Sequence, residues 1–301
     1  MSAADTDLRR LVAAELAEPV DPRVGEMAAA LAAIHAGAAR AVLFYGSCLR
    51  ERQLEGLMLD FYLIVSDYRR AYRRGWLATA NRLIPPNVFP FEHRGLTAKY
   101  AVLSEEDFAR ECRPQARSVS VWARFSQPSR LVWAADPAAA DAAVDIIAEA
   151  APTLFALTRP MMFGDMRYDP LAIFRAGYAL TYAAELRAER RQRAGSIVDA
   201  DPERYRRIGR AALARAEGGG AELGRRAAAR AWRARQRKGK ALTLLRLLKA
   251  SATFANGIDY LAWKINRHAG TRIEVRPWQR RWPLVAGLIL LPRLLKRGAI
   301  R

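Results

Sequence analysis

The clearest alternation of apolar and polar stretches lies in residues 41–65, AVLFYGSCLRERQLEGLMLDFYLIV. One apolar run ends at Tyr45-Gly46-Ser47, a charged stretch follows, and a second apolar run carries a single acid, Asp60, near its start. Short apolar runs bounded by turn residues predict two buried strands, with Ser47 where the chain turns into a helix between them. Ahead of this unit, residues 8–40 carry apolar positions at helical spacing, and Pro19 and Pro22 divide them into two helices. Behind it, residues 66–83 read as a partly basic helical segment that ends at Pro85-Pro86. Residues 88–91 and 97–103 read as strands joined by a turn at Arg94-Gly95. Ser104-Glu105-Glu106 begins a helix with acids matched to its dipole, and residues 130–133 supply one more strand.

After residue 135 the strand signals stop. Residues 137–151 and 169–193 read as helices, the second with Phe174, Tyr178 and Tyr182 on one face, a stripe expected in the core. The Gly218-Gly219-Gly220 run reads as a linker, and residues 229–270 as a helical region that begins basic and becomes amphipathic. The expected organisation is an α/β nucleotidyltransferase-like domain over 1–135, a mixed sheet with flanking helices. An all-helical C-terminal region follows, with a helical domain over 136–216 and a basic helical region over 221–301.

Charge sharpens this division. The chain has 301 residues and a net charge of +20, and residues 201–301 hold 25 Lys and Arg against 6 Asp and Glu. The first 200 residues are nearly balanced, so an anionic partner is expected to dock on the last third, either nucleic acid or an acidic membrane surface. Residues 282–292, WPLVAGLILLP, form an eleven-residue uncharged stretch between Arg280-Arg281 and Arg293, Lys296 and Arg297. That is about half the ~20 residues a spanning helix needs, so 280–297 is expected to insert shallowly into one leaflet or to be a buried terminal helix. The uncharged stretch favours the membrane, because nucleic acid explains the charge but not the apolar segment. Cys48 and Cys112 have no metal-ligand spacing, and His35, His93 and His268 stand apart. No secretory signal is read at the N-terminus, which points to the cytoplasm and a peripheral place on the inner face of the membrane.

The candidate chemistry sits in the 41–65 unit. Gly46 has no side chain to keep a phosphate from the backbone, Ser47 opens a helix whose free amides attract anions, and Asp60 can hold a divalent metal against a triphosphate. A plain turn and a solvated edge acid would give the same letters.

In chain order, Tyr45-Gly46-Ser47, Leu59-Asp60-Phe61, Lys99-Tyr100-Ala101-Val102-Leu103-Ser104 and Ala123-Arg124 with Pro128 resemble the mitochondrial-type phosphatidate cytidylyltransferases, the peripheral CDP-diacylglycerol synthases. The similarity continues in patches through Phe163-Gly164-Asp165-Met166-Arg167 to Lys249 and the helix ending near Ile265. Cys48, Tyr62, Gln127 and Ala250 depart from the family pattern. The resemblance implies transfer of CMP from CTP to phosphatidic acid at an anionic membrane surface, with Mg2+. Tyr45, Gly46, Ser47, Lys99 and Arg124 would bind the nucleotide, and Ser47 and Asp60 would be catalytic. Lys249 would face the lipid phosphate, and Asp60 and Asp165 would bind metal. A capping role for Asp165 is the other reading. The alternatives are nucleotidyl transfer to a small molecule or RNA end, and a non-catalytic basic protein that binds membranes or nucleic acid.

Overall fold

The computed structural model describes residues 3–51, 54–185, 193–217, 223–253 and 275–277. Two helices open the chain, α1 (Ala3–Leu16) and α2 (Pro22–Ile34), the second capped by Asp21 with Pro22 in its first turn. They lead into β1 (Ala39–Tyr45), the short α3 (Ser47–Glu51) and β2 (Met58–Val65). Next come α4 (Tyr68–Ala71), α5 (Gly75–Leu83), β3 (Asn87–His93), β4 (Leu96–Ser104), α6 (Glu105–Glu111), α7 (Ser120–Phe125) and β5 (Ser129–Ala134). The expected helix over 66–83 is thus two helices, because Asp67 caps the first and the chain extends again at Tyr72.

The five strands form one mixed sheet in the order β3-β4-β2-β1-β5. β1 pairs antiparallel with β2 and β5, β2 runs parallel to β4, and β3 folds back on β4 through Arg94 and Gly95, whose φ angles of 47° and 80° suit a tight hairpin turn. Side chains alternate across the sheet. One face, with Val42, Phe44, Leu59, Phe61, Leu63 and Val65, packs on Val24, Met27 and Leu31 of α2 and on Tyr68 and Tyr72. The other, with Leu43, Tyr62, Ile64 and Leu103, meets Leu8 of α1, Phe108 and Trp122.

That second face does not stop at the sheet. The chain goes on through α8 (Pro137–Ala148), α9 (Ala150–Thr158), α10 (Pro170–Ala184), α11 (Arg193–Asp199), α12 (Pro202–Glu217) and α13 (Arg225–Thr253). Beyond residue 136 the described residues contain helices and turns and no strand. Phe155, Phe174, Tyr178, Tyr205 and Trp232 from these helices belong to the same buried cluster as Leu43 and Tyr62. One continuous apolar core therefore crosses the expected boundary at residue 135. Phe174 and Tyr178 are fully buried, and Tyr182 packs against the same cluster. The Gly218–Gly220 linker and the 280–297 segment lie outside the described residues, within which no helix is long and apolar enough to cross a membrane.

Candidate active site

The paired ends of β1 and β2 set the centre of the site. The register puts Tyr45 opposite Asp60, and parallel pairing on the other side of β2 puts Lys99 of β4 beside the same aspartate. Lys99 Nζ lies 3.0 Å from Asp60 Oδ1. Gly46 follows Tyr45 with φ +97°, and a Cβ there would stand 2.9 Å from Asp60 Oδ2. The glycine is thus required by the turn and by the carboxylate that fills the space over it. The sequence reading kept that space for a phosphate, whereas the nearest occupant is Asp60 itself. Ser47, the next residue, begins α3 at this end of the sheet.

A cavity of about 180 Å³ opens beside this pair, lined by Tyr45, Tyr62, Lys99, Arg124, Arg246 and Lys249 among others. Lys99 and Arg124, expected at the nucleotide, and Lys249, expected at the lipid phosphate, are far apart in sequence and share this one cavity. Arg246 was missed, although it precedes Lys249 by three residues on α13 and so shares its helix face. Tyr62, two residues beyond Asp60 on β2, lines the wall of the cavity.

Each cation is held in place. Arg124 donates from Nη1 to the Ser120 carbonyl at 2.5 Å, and the same nitrogen lies 3.6 Å from Glu185. Ser120 Oγ donates to Glu185 and receives Arg246 Nη1 at 2.9 Å. Arg246 also donates to the Pro85 carbonyl at 2.8 Å and to Ser118 Oγ at 3.2 Å. Lys249 Nζ donates to the carbonyls of Ile84 and of Pro86, the latter at 2.8 Å. The Pro85-Pro86 bend, where the sequence marked only a helix end, therefore anchors both α13 cations. Ser120 and Glu185 carried no signal in the sequence, since a single Ser and a single Glu at ordinary spacing belong to no motif.

The electrostatics follow from crowding positive charge in a partly dry space. Burial and the neighbouring Arg246 bring the Lys249 ammonium down to about 7. Burial also lowers Arg246. At Arg124 burial opposes the charge, but Glu185, Tyr62, Tyr45 and Asp60 outweigh it and keep the guanidinium protonated. Burial and Asp60 raise the Tyr45 phenol, so it stays neutral. Such a cavity suits a multiply charged anion, which would restore the proton to Lys249 on entering.

Asp165 lies elsewhere in this arrangement. It is exposed on the turn Gly164–Arg167, which packs on α10, and is not among the residues lining the cavity. Among the described residues no three His, Cys, Asp or Glu side chains converge into a metal site. Cys48 and Cys112 are buried and free, and His35 is buried between the Ala71 carbonyl and the Tyr100 hydroxyl. No protein-family model matches the chain, and no curated protein is detectably similar to it.

Proposed function

We propose that the cavity binds phosphate groups and that the protein transfers CMP from CTP to phosphatidic acid, giving CDP-diacylglycerol and pyrophosphate. What supports this reading most is the convergence of Lys99, Arg124, Arg246 and Lys249 on one cavity beside the Gly46–Asp60 contact. An oxygen of the phosphatidate phosphate attacks the α-phosphorus of CTP. The bond from that phosphorus to the oxygen bridging to the β-phosphate breaks, and pyrophosphate leaves with the electron pair. The attacking phosphate is already anionic at neutral pH, so no side chain has to remove a proton. The chain's part is positioning and neutralisation of charge.

At about 180 Å³ the cavity is smaller than the ~300 Å³ at the lower end of whole-ligand sites. It therefore suits phosphate groups, with the nucleoside and the acyl chains outside. Ser47 and Gly46 would face the triphosphate from the β1 turn. Arg124 and Arg246, fixed by Ser120, Ser118 and Pro85, would hold phosphate oxygens without rearranging. Lys249, with its ammonium brought down to about 7 and so only about half protonated at neutral pH, would become fully protonated as the acceptor phosphate enters.

The donor set fits a magnesium ion that arrives with the nucleotide. Such an ion takes one or two carboxylates and completes its shell with phosphate oxygens and water. Asp60 would hold it, and the ion would supply charge neutralisation on the triphosphate. Lys99 would then turn from Asp60 to a phosphate oxygen. The exposed Asp165 is the second carboxylate the resemblance offers, and Asp165→Asn tests it against Asp60→Asn.

The test is direct. Purified protein, magnesium, labelled CTP and phosphatidic acid in neutral detergent micelles should yield a lipid-soluble labelled product. Asp60→Asn should lower the rate by ~100-fold or more, the scale of losing one electrostatic contact in a transition state. Absence of labelled lipid, with label instead on a small molecule or RNA end, would sink the lipid acceptor and keep nucleotidyl transfer.

A further inference from the structure

Arg246 and Lys249, the two cavity cations that α13 supplies, use only one face of that helix. On the opposite face Arg226, Arg230, Arg233, Arg237 and Lys240 follow one another at spacings of four, three, four and three, and all five are exposed. At 100° per residue these positions form a single straight stripe, about 21 Å long at 1.5 Å per residue. The inward side carries Ala228, Trp232 and Gly239, all buried, with the Trp232 indole donating to the Leu157 carbonyl at 2.7 Å. The helix contains no Asp or Glu, and among the described residues none of the five cations is ion-paired. A helix keeping five like charges in register, without the acids that usually interleave them, carries a repulsion that an external polyanion would relieve.

A second feature says what that polyanion is. At the start of α13 the Arg225 guanidinium lies 3.6 Å over the Phe163 ring. Phe163 itself, Met166 three residues on in the same turn and Leu223 two residues before Arg225 are each at least half exposed. Large apolar side chains next to a basic stripe gain from acyl chains but nothing from a phosphodiester backbone.

We infer that the outer face of α13, with the Phe163–Met166 turn at its start, is the surface on which this protein docks to an anionic lipid bilayer. The five cations meet headgroup phosphates along the helix while Phe163, Met166 and Leu223 enter the headgroup boundary. The same helix carries Arg246 and Lys249 into the cavity, so one rigid element links the membrane to the site. This inference rests on the proposed reaction only in taking the docking partner to be lipid.

The test uses the full chain and vesicles of phosphatidylcholine with or without phosphatidylglycerol. The native chain should sediment with the anionic vesicles, and its binding should weaken as salt shortens the screening length. Replacing Arg226, Arg230, Arg233, Arg237 and Lys240 together by Gln should lower the partition coefficient by about a hundredfold or more. The fold, read by circular dichroism and thermal melting, should be retained because the five side chains are exposed. Phe163→Ser with Met166→Ser should weaken binding about tenfold with the charges intact. Native-like vesicle binding by the five-site variant would overturn the inference. So would failure of the native chain to bind anionic vesicles, or a five-site variant that loses duplex DNA or RNA but keeps vesicles. The two proposals fail separately. Vesicle binding without CMP transfer in micelles removes the reaction and leaves the docking face, and transfer in micelles with vesicle binding insensitive to the stripe does the reverse.

Discussion

Gly46 and Asp60 constrain one another. A φ of +97° already disfavours any side chain at residue 46, and a Cβ there would press on the Asp60 carboxylate. Gly46→Ala is expected to cost ~1–3 kcal/mol in chemical denaturation and to displace Asp60 from Lys99, lowering the proposed CMP transfer more than the stability loss explains. Lys249 makes a pH-dependent prediction. Its folded value of about 7 lies below the ordinary 10.5, so the native state binds fewer protons between those two values. Stability should therefore rise as pH increases from about 7 to 10.5 and stay level on either side, with a slope of at most ~1.4 kcal/mol per pH unit from this group. Lys249→Met should flatten that segment in denaturation curves taken across the range. Anion binding should move the opposite way, with inorganic pyrophosphate binding the native chain more weakly at pH 8 than at pH 6.

Among the elements, the strands were readable because alternation and turn residues mark them directly, and β1, β2, β4 and β5 stand where the apolar runs put them. That Asp60 faces the Gly46-Ser47 turn from the second strand was readable as well, whereas its register opposite Tyr45 was not, because residues 46–57 with α3 join the two strands and leave the pairing open. What α13 does was less legible. Its inward and outward faces are both basic, so periodicity of hydrophobicity does not separate them, and only packing shows that Arg246 points to the cavity while Arg237 points to solvent. Gly239 offers a test of that packing. Helix propensity alone predicts that Gly239→Ala stabilises by ~1 kcal/mol. A Cβ there, however, would lie 2.4 Å from the Ala184 carbonyl oxygen, a backbone atom that cannot turn aside. Overpacking of this kind costs ~1–3 kcal/mol, so the variant is expected to melt lower than the native chain. Anion affinity should fall with it, because α10 and α13 would separate and carry Arg246 and Lys249 away from Ser120 and Pro86.

On the scale of the whole molecule, the first helix and one of the late helices hold each other. Arg204 of α12 is almost fully buried and donates to Glu15 of α1 at 2.6 and 3.0 Å and to the Ser126 carbonyl at 2.8 Å. A sequence read in windows cannot register a contact between residues so far apart, which is why a boundary at 135 looked natural. Glu15→Gln leaves a buried guanidinium without its counter-charge and is expected to cost ~3 kcal/mol or more. Arg204→Met with Glu15→Gln should recover part of that loss, and denaturation of the four species gives the coupling directly.

Leu8, Val12 and Leu16 are buried, and the helix that carries them packs on α8 and α12. During synthesis, then, this apolar stripe emerges well before the helices that cover it, because α8 and above all α12 follow it far later in the chain. Until then that stripe is open to chaperones and to other nascent chains.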